Sequence, residues 1–185
     1  PVTDIMEPWI VEFNPEIHAG INIDSRVINT FAETEYMKCY EAWPESITGG
    51  LTYGFGSRLA TLCPLAHTIM QHALGGELVT YEHFVNWLAY VFQNKSKAGT
   101  AWVLQGVQGT GKGLLFEGLF SPLFNHPRIG KFKPAASEKS MSNFDDQFNG
   151  YMEHCILMVV DEFRMGNSRN RDIENFFKNA ITEST

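Results

Sequence analysis

The residues best suited to chemistry are Gly106, Gly109, Gly111 and Lys112, which interrupt the apolar stretch "WVLQGVQGTGKGLLFEGLF" (102–120). The segment "GVQGTGKG" fits the first seven positions of the phosphate-loop pattern GxxxxGK[ST]. In such a loop, glycines let successive backbone N–H groups point inward, and the N-terminus of the next helix adds partial positive charge. The spacing therefore predicts a nucleotide-binding loop in which Lys112 reaches the β- and γ-phosphates. Its members are Gly106, Val107, Gln108, Gly109, Thr110, Gly111, Lys112, Gly113 and Leu114.

The eighth position of the loop departs from the pattern. A serine or threonine hydroxyl normally holds Mg²⁺ there, and this chain has Gly113. Because Mg²⁺ keeps several waters, nucleotide oxygens, waters and Asp161 are expected to hold it instead. Thr110 precedes Gly111 and is not in the usual metal-ligand position, so we assign it no such role.

A second, independent motif follows in "ILMVVDEF", an apolar run that ends in Asp161 and Glu162. In a phosphate-loop ATPase, a strand next to the loop strand ends in an aspartate that holds Mg²⁺ through water, and a neighbouring glutamate activates the attacking water. The alternative is a strand that ends in two solvated carboxylates. The order and context of the two motifs favour ATP and Mg²⁺ as cofactors, with Lys112 and Glu162 as the catalytic residues and Asp161 as the metal residue.

The elements that must position these residues divide the chain into three parts. Residues 1–63 have weak periodicity and many glycines and prolines, and we predict an irregular segment that could hold short strands. Residues 64–98 are predicted to form two helices. The first has Leu65, Ile69, His72 and Ala73 on one face and stops at two glycines; the second is capped by Thr80 and has Phe84, Trp87, Leu88, Val91 and Phe92 at helical spacing.

Residues 99–185 alternate strands and helices, which is typical of an α/β layered sheet. "TAWVLQ" (100–105) is predicted to be the loop strand, followed by a helix to about Phe120 that "SPLFNHP" breaks. "RIGKFK" (128–133) is an edge-like strand, and Cys155 to Val160, apolar on both faces, suits a central parallel strand. "MSNFDDQFNGYMEH" and "NRDIENFFKNAI" are predicted to be helical.

The composition, with 44% apolar and 19% charged residues among 185, is typical of a globular domain. A formal net charge of −7 argues against an electrostatic clamp on nucleic acid, although a ring-shaped motor needs only a few basic residues per subunit. The three cysteines form no CxxC pair, which predicts a reducing compartment without zinc or disulfides. No apolar run reaches the ~18 residues of a membrane span. The ends of the sequence suggest a piece of a longer polypeptide.

"GVQGTGKG" together with "ILMVVDEF" resembles the superfamily-3 helicase ATPase of viral and phage primase-helicases, above all phage-type primase-polymerases with a carboxy-terminal helicase. That group often has "QGTGKG" with glycine in the eighth position. "FVNWLAYVFQN" (84–94) is similar to the helical segment before the loop, "FDDQFNGYMEH" to the segment ahead of the acidic strand, and "FFKNAITEST" to the start of the third helicase motif. The resemblance covers about residues 64–185, with a weaker similarity in "INIDSRVINTF".

The resemblance implies a P-loop NTPase of AAA+-like type, whose three-layer α/β/α core is truncated at its C-terminal end and preceded by a small helical segment. It implies a homo-hexamer of the full-length protein, with a primase or polymerase domain in the same chain, that hydrolyses ATP to translocate on single-stranded or forked DNA in the host cytoplasm. Lys112 would bind phosphate, Asp161 Mg²⁺, and Glu162 the water. The family's DNA-binding loop, polar sensor residue and arginine finger lie beyond Thr185 or are not recognisable, so the fragment alone is expected to bind nucleotide poorly and not to unwind DNA.

Two other functions stay open. One is a different phosphate-loop ATPase, such as a packaging motor; a phosphotransferase would need a lid and an acceptor site, which nothing in the sequence indicates. The other is a nucleotide-binding structural module in which Gly113 marks lost hydrolysis. Several residues could contact DNA, a base or a neighbouring subunit's nucleotide, but solvated or core positions are the favoured interpretation: Arg128, Lys131, Lys133, Arg164, Arg169, Arg171, Trp87 and Phe92.

Overall fold

The computed structural model describes residues 8–17, 20–41, 55–96, 98–107, 109–128, 135–140 and 155–161, together with Lys178 and Ile181. The strands are β1 (Ile10–Glu12), β2 (Gly20–Asn22), β3 (Val27–Asn29), β4 (Ala136–Ser140) and β5 (Leu157–Asp161). The helices are α1 (Glu35–Glu41), α2 (Phe55–Leu62), α3 (Pro64–Ala73), α4 (Leu78–Asn94), α5 (Lys112–Leu115), a π-helical segment (Phe116–Phe120) and α6 (Ser121–Phe124). The chain is thus a mixed α/β structure with short sheets. No described helix has the length and apolar character needed to cross a membrane.

Short strands were predicted as possible within an irregular N-terminal segment, and the described part of that segment contains a small sheet of three of them. The strand order is β1-β3-β2, with β1 parallel and β2 antiparallel to β3. The buried Asn29 side chain organises it: its Oδ1 accepts from the backbone N–H groups of Asn14 (3.0 Å) and Phe31 (3.1 Å), and its Nδ2 donates to the carbonyls of Asn14 (2.9 Å) and Ile17 (3.0 Å). One side-chain amide therefore provides hydrogen-bond partners for backbone N–H and C=O groups of the loop after β1. Strands of three residues are too short to provide those partners.

The helix α4 is the central element of the core. Its residues Tyr81, Phe84, Val85, Leu88 and Val91 are buried, and Trp87 and Phe92 pack against them, as the helical spacing predicts. The predicted cap was wrong, because the helix begins at Leu78 and the Thr80 hydroxyl donates to the Glu77 carboxylate at 2.8 Å. Tyr81 is fully buried, its hydroxyl lies 2.8 Å from Nδ1 of His67, and burial raises the pKa of its phenol.

The helix α3 begins and ends where the sequence predicts. Pro64 occupies its first turn, where the missing N–H costs nothing, and Gly75 and Gly76 follow it with φ of +80°. The predicted face was partly wrong: Met70 is the buried residue of α3, whereas Leu65 and His72 are exposed. The helix contacts α4 through His67, so the inward face is rotated from the one that hydrophobicity alone indicates.

The helix that follows the glycine loop continues to Phe124, so it ends within "SPLFNHP" as predicted but four residues beyond the predicted end near Phe120. A π-helical turn precedes α6, and the backbone N–H of Ser121 donates to the carbonyl of Phe116, five residues earlier. The α-helical bonding then starts afresh, which places Pro122 in the first turn of α6, where a proline is tolerated. Phe116, Phe120 and Phe124 are buried on one side of this run.

The strands β4 and β5 pair in parallel, which confirms the parallel arrangement predicted for the acidic strand. The register runs from Ala136 opposite Leu157 to Ser140 opposite Asp161. The strand that pairs with β5 lies at 136–140. Arg128 lies in a turn, and the rest of the edge-like strand predicted at 128–133 lies outside the described residues. The helices predicted over 141–154 and 170–181 also lie largely outside it, with Lys178 and Ile181 both helical.

The segment between β3 and α1 joins the N-terminal sheet to the rest of the core. Phe31 and Met37 belong to the same hydrophobic cluster as the buried residues of α4. The carboxylate of Glu33 lies 2.6 Å from the ammonium of Lys95, just after α4, and both side chains are largely buried. Thr34, 1% exposed, donates its hydroxyl to the carbonyl of Leu123 at 2.9 Å. The described residues of the N-terminal segment therefore share a core with the helices, and the predicted domain boundaries stay a prediction.

Replacing Thr34 with valine should destabilise the fold by about 1–3 kcal/mol. The change keeps the shape of the side chain but leaves the Leu123 carbonyl and the Met37 N–H, which donates to Thr34 Oγ1 at 3.2 Å, without their partner in a buried site. Thr68→Val is the matched control, because Thr68 makes a similar bond to Pro64 on the exposed side of α3. Urea unfolding measures both; an equal, small effect at the two positions would contradict the expectation.

Candidate nucleotide-binding site

The segment leading into the loop is held by side chains instead of a strand ladder. Residues 100–105 were predicted to be the loop strand, but the structure forms no strand there and no described strand pairs with these residues, so that prediction was wrong for this structure. The Trp102 ring packs edge-on against Phe84 (5.2 Å between centroids), and Trp87 Nε1 donates to the Thr100 hydroxyl at 3.0 Å. Val103 is 85% exposed. Alternate side chains thus face α4 and solvent, which is strand-like geometry without its backbone pairing.

The loop itself has the backbone conformation that its glycines predict. Gly109 and Gly111 have φ of +85° and +87°, in the left-handed region that side chains with a Cβ rarely adopt. Gly111 immediately precedes α5, and its carbonyl accepts the N–H of Leu115 at 3.2 Å. Gln108 lies outside the described residues. The reversal at Gly111 therefore delivers the chain into a helix whose first residue is Lys112, so free N–H groups and the lysine are brought to the same end.

The Lys112 side chain folds back over the loop. Its Nζ donates to the carbonyls of Gly106 (3.0 Å) and Val107 (2.9 Å) and to the Thr110 hydroxyl (3.1 Å). Thr110 in turn donates its hydroxyl to the Val107 carbonyl at 2.9 Å. Three donors of one ammonium thus reach three oxygens of its own loop. An anion that enters must take over these donors, and the carbonyls must turn away from it.

The eighth position of the loop, occupied by Gly113, has space for a side chain. A Cβ built there meets no atom within 4 Å, and its φ is outside the left-handed region. Thr110 supplies the loop's hydroxyl, but it contacts Lys112 and Val107. A hydroxyl would fit at position 113 sterically, so packing does not impose the glycine.

The acidic residues lie on a separate element. Asp161 is the last residue of β5, opposite Ser140, and its side chain is exposed to solvent. Glu162 lies outside the described part of the chain, as do Lys131, Lys133, Arg164, Arg169 and Arg171. Within that part, no group of three or more His, Cys, Asp and Glu residues could hold a metal ion.

Sequence reasoning missed the contacts that fix the loop at both sides. Phe84 of α4 touches Trp102 before the loop and Phe120 after it, with centroids 5.2 and 6.0 Å apart. Phe84 was predicted as a core residue by its helical spacing, but nothing in that spacing identifies its partners. A second missed residue is Asn125, which follows α6 and bonds to Ala136 of β4. Trp87 and Phe92 pack on the core instead of facing solvent, as favoured from their spacing.

Comparisons with known proteins give three findings. A family described as a family of unknown function (DUF5906) matches residues 104–185. A protein of Nitratiruptor phage NrS-1 named DNA Primase-polymerase is homologous to this chain, with 35% identity over 103 residues, which are 55% of this chain and 13% of that protein. Two apo structures of the NrS-1 C-terminal region superpose with TM-scores of 0.64 and 0.61, at 24% and 25% identity.

The structural matches cover almost all of this chain but only part of the NrS-1 chain. Each superposition covers 95% of this chain and 36% of the NrS-1 chain. The family match covers the glycine loop and the residues after it, whereas the structural match also extends over the N-terminal sheet and helices. The chain therefore has the fold of part of the NrS-1 C-terminal region and spans 13% of the curated relative's length.

Gly111→Ala should destabilise the chain by about 1–2 kcal/mol, because alanine resists the left-handed backbone that starts α5. Gly113→Ala is the matched control two residues away: it lies in a helix with open space around it, so the change should be neutral or stabilise by up to about 1 kcal/mol. Chemical unfolding of both variants measures the difference. Equal effects at the two glycines would contradict the loop conformation described above.

Proposed function

We propose that this chain is part of an ATP-driven superfamily-3 DNA helicase motor that acts in phage or viral DNA replication. The observation that best supports it is the loop geometry: two left-handed glycines, a helix that starts at once, and the Lys112 ammonium over the loop. The homologous phage protein named DNA Primase-polymerase supports a role in replication. The finer assignment, a helicase ATPase, rests on the resemblance of the two motifs.

In this proposal the loop binds the phosphates of ATP. Lys112 exchanges its three loop oxygens for phosphate oxygens, and the first N–H groups of α5 point at the same anion. The residues fit the group, because glycine at 106, 109 and 111 keeps the backbone accessible and the lysine is already at the loop. In this proposal the loop belongs to a three-layer P-loop core of AAA+-like type.

Bound Mg²⁺ would supply positive charge that neutralises the phosphates. Asp161 would hold the ion through water from the end of β5, since Gly113 offers no hydroxyl. Glu162 would orient and activate the attacking water as its proton acceptor. In the full-length protein we propose a homo-hexamer on single-stranded or forked DNA in the host cytoplasm, with a primase or polymerase domain in the same chain.

One observation favours a second candidate, a nucleotide-binding module without hydrolysis. Position 113 has room for a side chain and still lacks the hydroxyl that would hold the metal. If hydrolysis has been lost, the loop would bind nucleotide to order an assembly. A packaging motor is a third possibility, and dependence of hydrolysis on single-stranded DNA separates it from the helicase.

Lys112→Ala in the full-length protein should raise the Kd for ATP at least about a hundredfold, because two or more charge-assisted hydrogen bonds to phosphate are lost. Fluorescence anisotropy of a labelled ATP analogue measures it. Lys38→Ala is the control, since Lys38 is an exposed lysine on α1 that pairs with Glu35. Unchanged affinity in Lys112→Ala would remove the phosphate-loop assignment.

Glu162→Gln should keep ATP binding and stop turnover, because the amide cannot accept the proton of the attacking water. Phosphate release by the full-length protein is measured with and without single-stranded DNA, with Glu117→Gln as the control for an exposed glutamate. Stimulation by DNA that the variant loses supports the motor. Hydrolysis that ignores DNA favours another ATPase, and bound nucleotide without hydrolysis in the wild type favours the binding module. Normal turnover by Glu162→Gln would exclude this role for Glu162.

A further inference from the structure

Asn125 joins the helix of the glycine loop to the strand pair that ends in Asp161. Its Nδ2 donates to the carbonyl of Ala136 at 2.9 Å, and its Oδ1 accepts the N–H of Ala136 at 2.8 Å. The second proton of Nδ2 is available for the Ser121 hydroxyl at 3.1 Å, and the Asn125 N–H donates to the Ser121 carbonyl at 2.9 Å. The amide is thus bonded to the last turn of the helix and to the first residue of β4.

The contact with Ala136 imitates strand pairing. The N–H and C=O of one residue in a strand point to the same side, and both groups of Ala136 face Asn125. On the other side, the carbonyl of Ala135 accepts the N–H groups of Ile156 (2.7 Å) and Leu157 (3.1 Å) near the start of β5. Ala136 is 1% exposed, so water cannot replace the amide. Asn125 therefore acts as a one-residue neighbour on the edge of β4 opposite β5.

The hydrogen bonds between Asn125 and Ala136 fix the position of β4 and β5 along the helix that ends before Asn125. The register of β4 and β5 is continuous from Ala136 opposite Leu157 to Ser140 opposite Asp161. A slip of one residue would move the carboxylate by about 3.3 Å and turn alternate side chains to the other face. The helical run that precedes Asn125 begins at Lys112. One amide thus sets the placement of the acidic strand end relative to the lysine.

We propose that Asn125 is a positioning residue that fixes the strand pair carrying Asp161 relative to the helix that begins at Lys112, so that the carboxylate can hold a phosphate-bound Mg²⁺ through water. The inference rests on the proposed function and deepens it, because it assigns a role to a residue outside both motifs. It acts through Asp161 and makes no contact with nucleotide. Metal and phosphate ligands need placement to within about 0.5 Å, and a two-bond amide contact at a buried strand start supplies it.

The test measures the metal dependence of nucleotide binding by the full-length protein. The probe is a fluorescent, non-hydrolysable ATP analogue, titrated in EDTA and in saturating Mg²⁺, and the readout is the factor by which Mg²⁺ tightens binding. Asn125→Ala should reduce this factor about tenfold, as supporting residues of metal sites do, and leave the affinity in EDTA within about twofold. Asn94→Ala is the matched control: it also stands at a helix end and donates to a carbonyl four residues back, but on the exposed surface of α4. It should change neither value.

A double-variant cycle tests whether Asn125 acts through the carboxylate. Asp161→Ala should lower the Mg²⁺ factor at least as far, and adding Asn125→Ala to it should cause no further loss. Additive losses would overturn the proposal, and so would a loss of equal size in EDTA and in Mg²⁺, since that is the result of a purely structural role. If Asn125→Ala does not fold, Asn125→Asp keeps the acceptor for the Ala136 N–H, removes the donor, and should show the same selective loss.

The outcomes separate this inference from the function on which it rests. If the wild type does not bind the analogue in EDTA or in Mg²⁺, the proposed function fails and this inference with it. If the wild type binds and Asp161→Ala leaves the Mg²⁺ factor unchanged, the phosphate loop stands and the role of Asn125 is overturned. If Asp161→Ala loses the factor and Asn125→Ala keeps it, the metal assignment stands and the positioning role alone is overturned.

Discussion

The geometry of the glycine loop depends on one side chain, Phe84. The ring is 2% exposed and touches Trp102 on the chain that enters the loop and Phe120 on the helix that leaves it. Both ends of the loop are therefore attached to one point on α4, and the loop spans a fixed gap. Aromatic pairs of this kind stabilise beyond the area they bury. Since residues 101–107 lack a strand partner within the described chain, this attachment is what orders the approach to Gly106.

Several elements follow from the sequence because their signals are local. The helices α3 and α4 show a helical period with a proline or glycine at an end, and β5 is a short apolar run before two acids. The N-terminal strands could not be predicted with the same certainty, since they are three residues long and depend on Asn29 bonds to residues 12 and 15 positions away. Burial alternates along residues 101–105 as in a strand, but pairing requires a neighbour that periodicity does not reveal.

The candidate site also combines features that the sequence predicts with features that it does not. The glycine positions and Lys112 are predictable because the backbone conformation of a phosphate loop demands those residue types at that spacing. The direction of the Lys112 side chain is not, because its three acceptors are backbone carbonyls and a hydroxyl that any loop could offer. Asn125 carries no motif at all. Its partner, Ala136, is an unremarkable small residue in sequence, and only the fold brings the amide to both of its backbone groups.

The π-helical turn between α5 and α6 determines the angular phase between the two ends of this helix. Each residue of an α-helix advances the side-chain direction by about 100° and the axis by ~1.5 Å. A turn with one extra residue therefore rotates Ser121 and Asn125 away from the azimuth that a regular helix starting at Lys112 would give them. Because the π-turn absorbs one residue, removal of one residue from Phe116–Phe120 would restore regular bonding and leave the Asn125 amide near its present azimuth. Regular α-helical bonding at the present length would instead rotate the Asn125 amide by about 100°, away from Ala136.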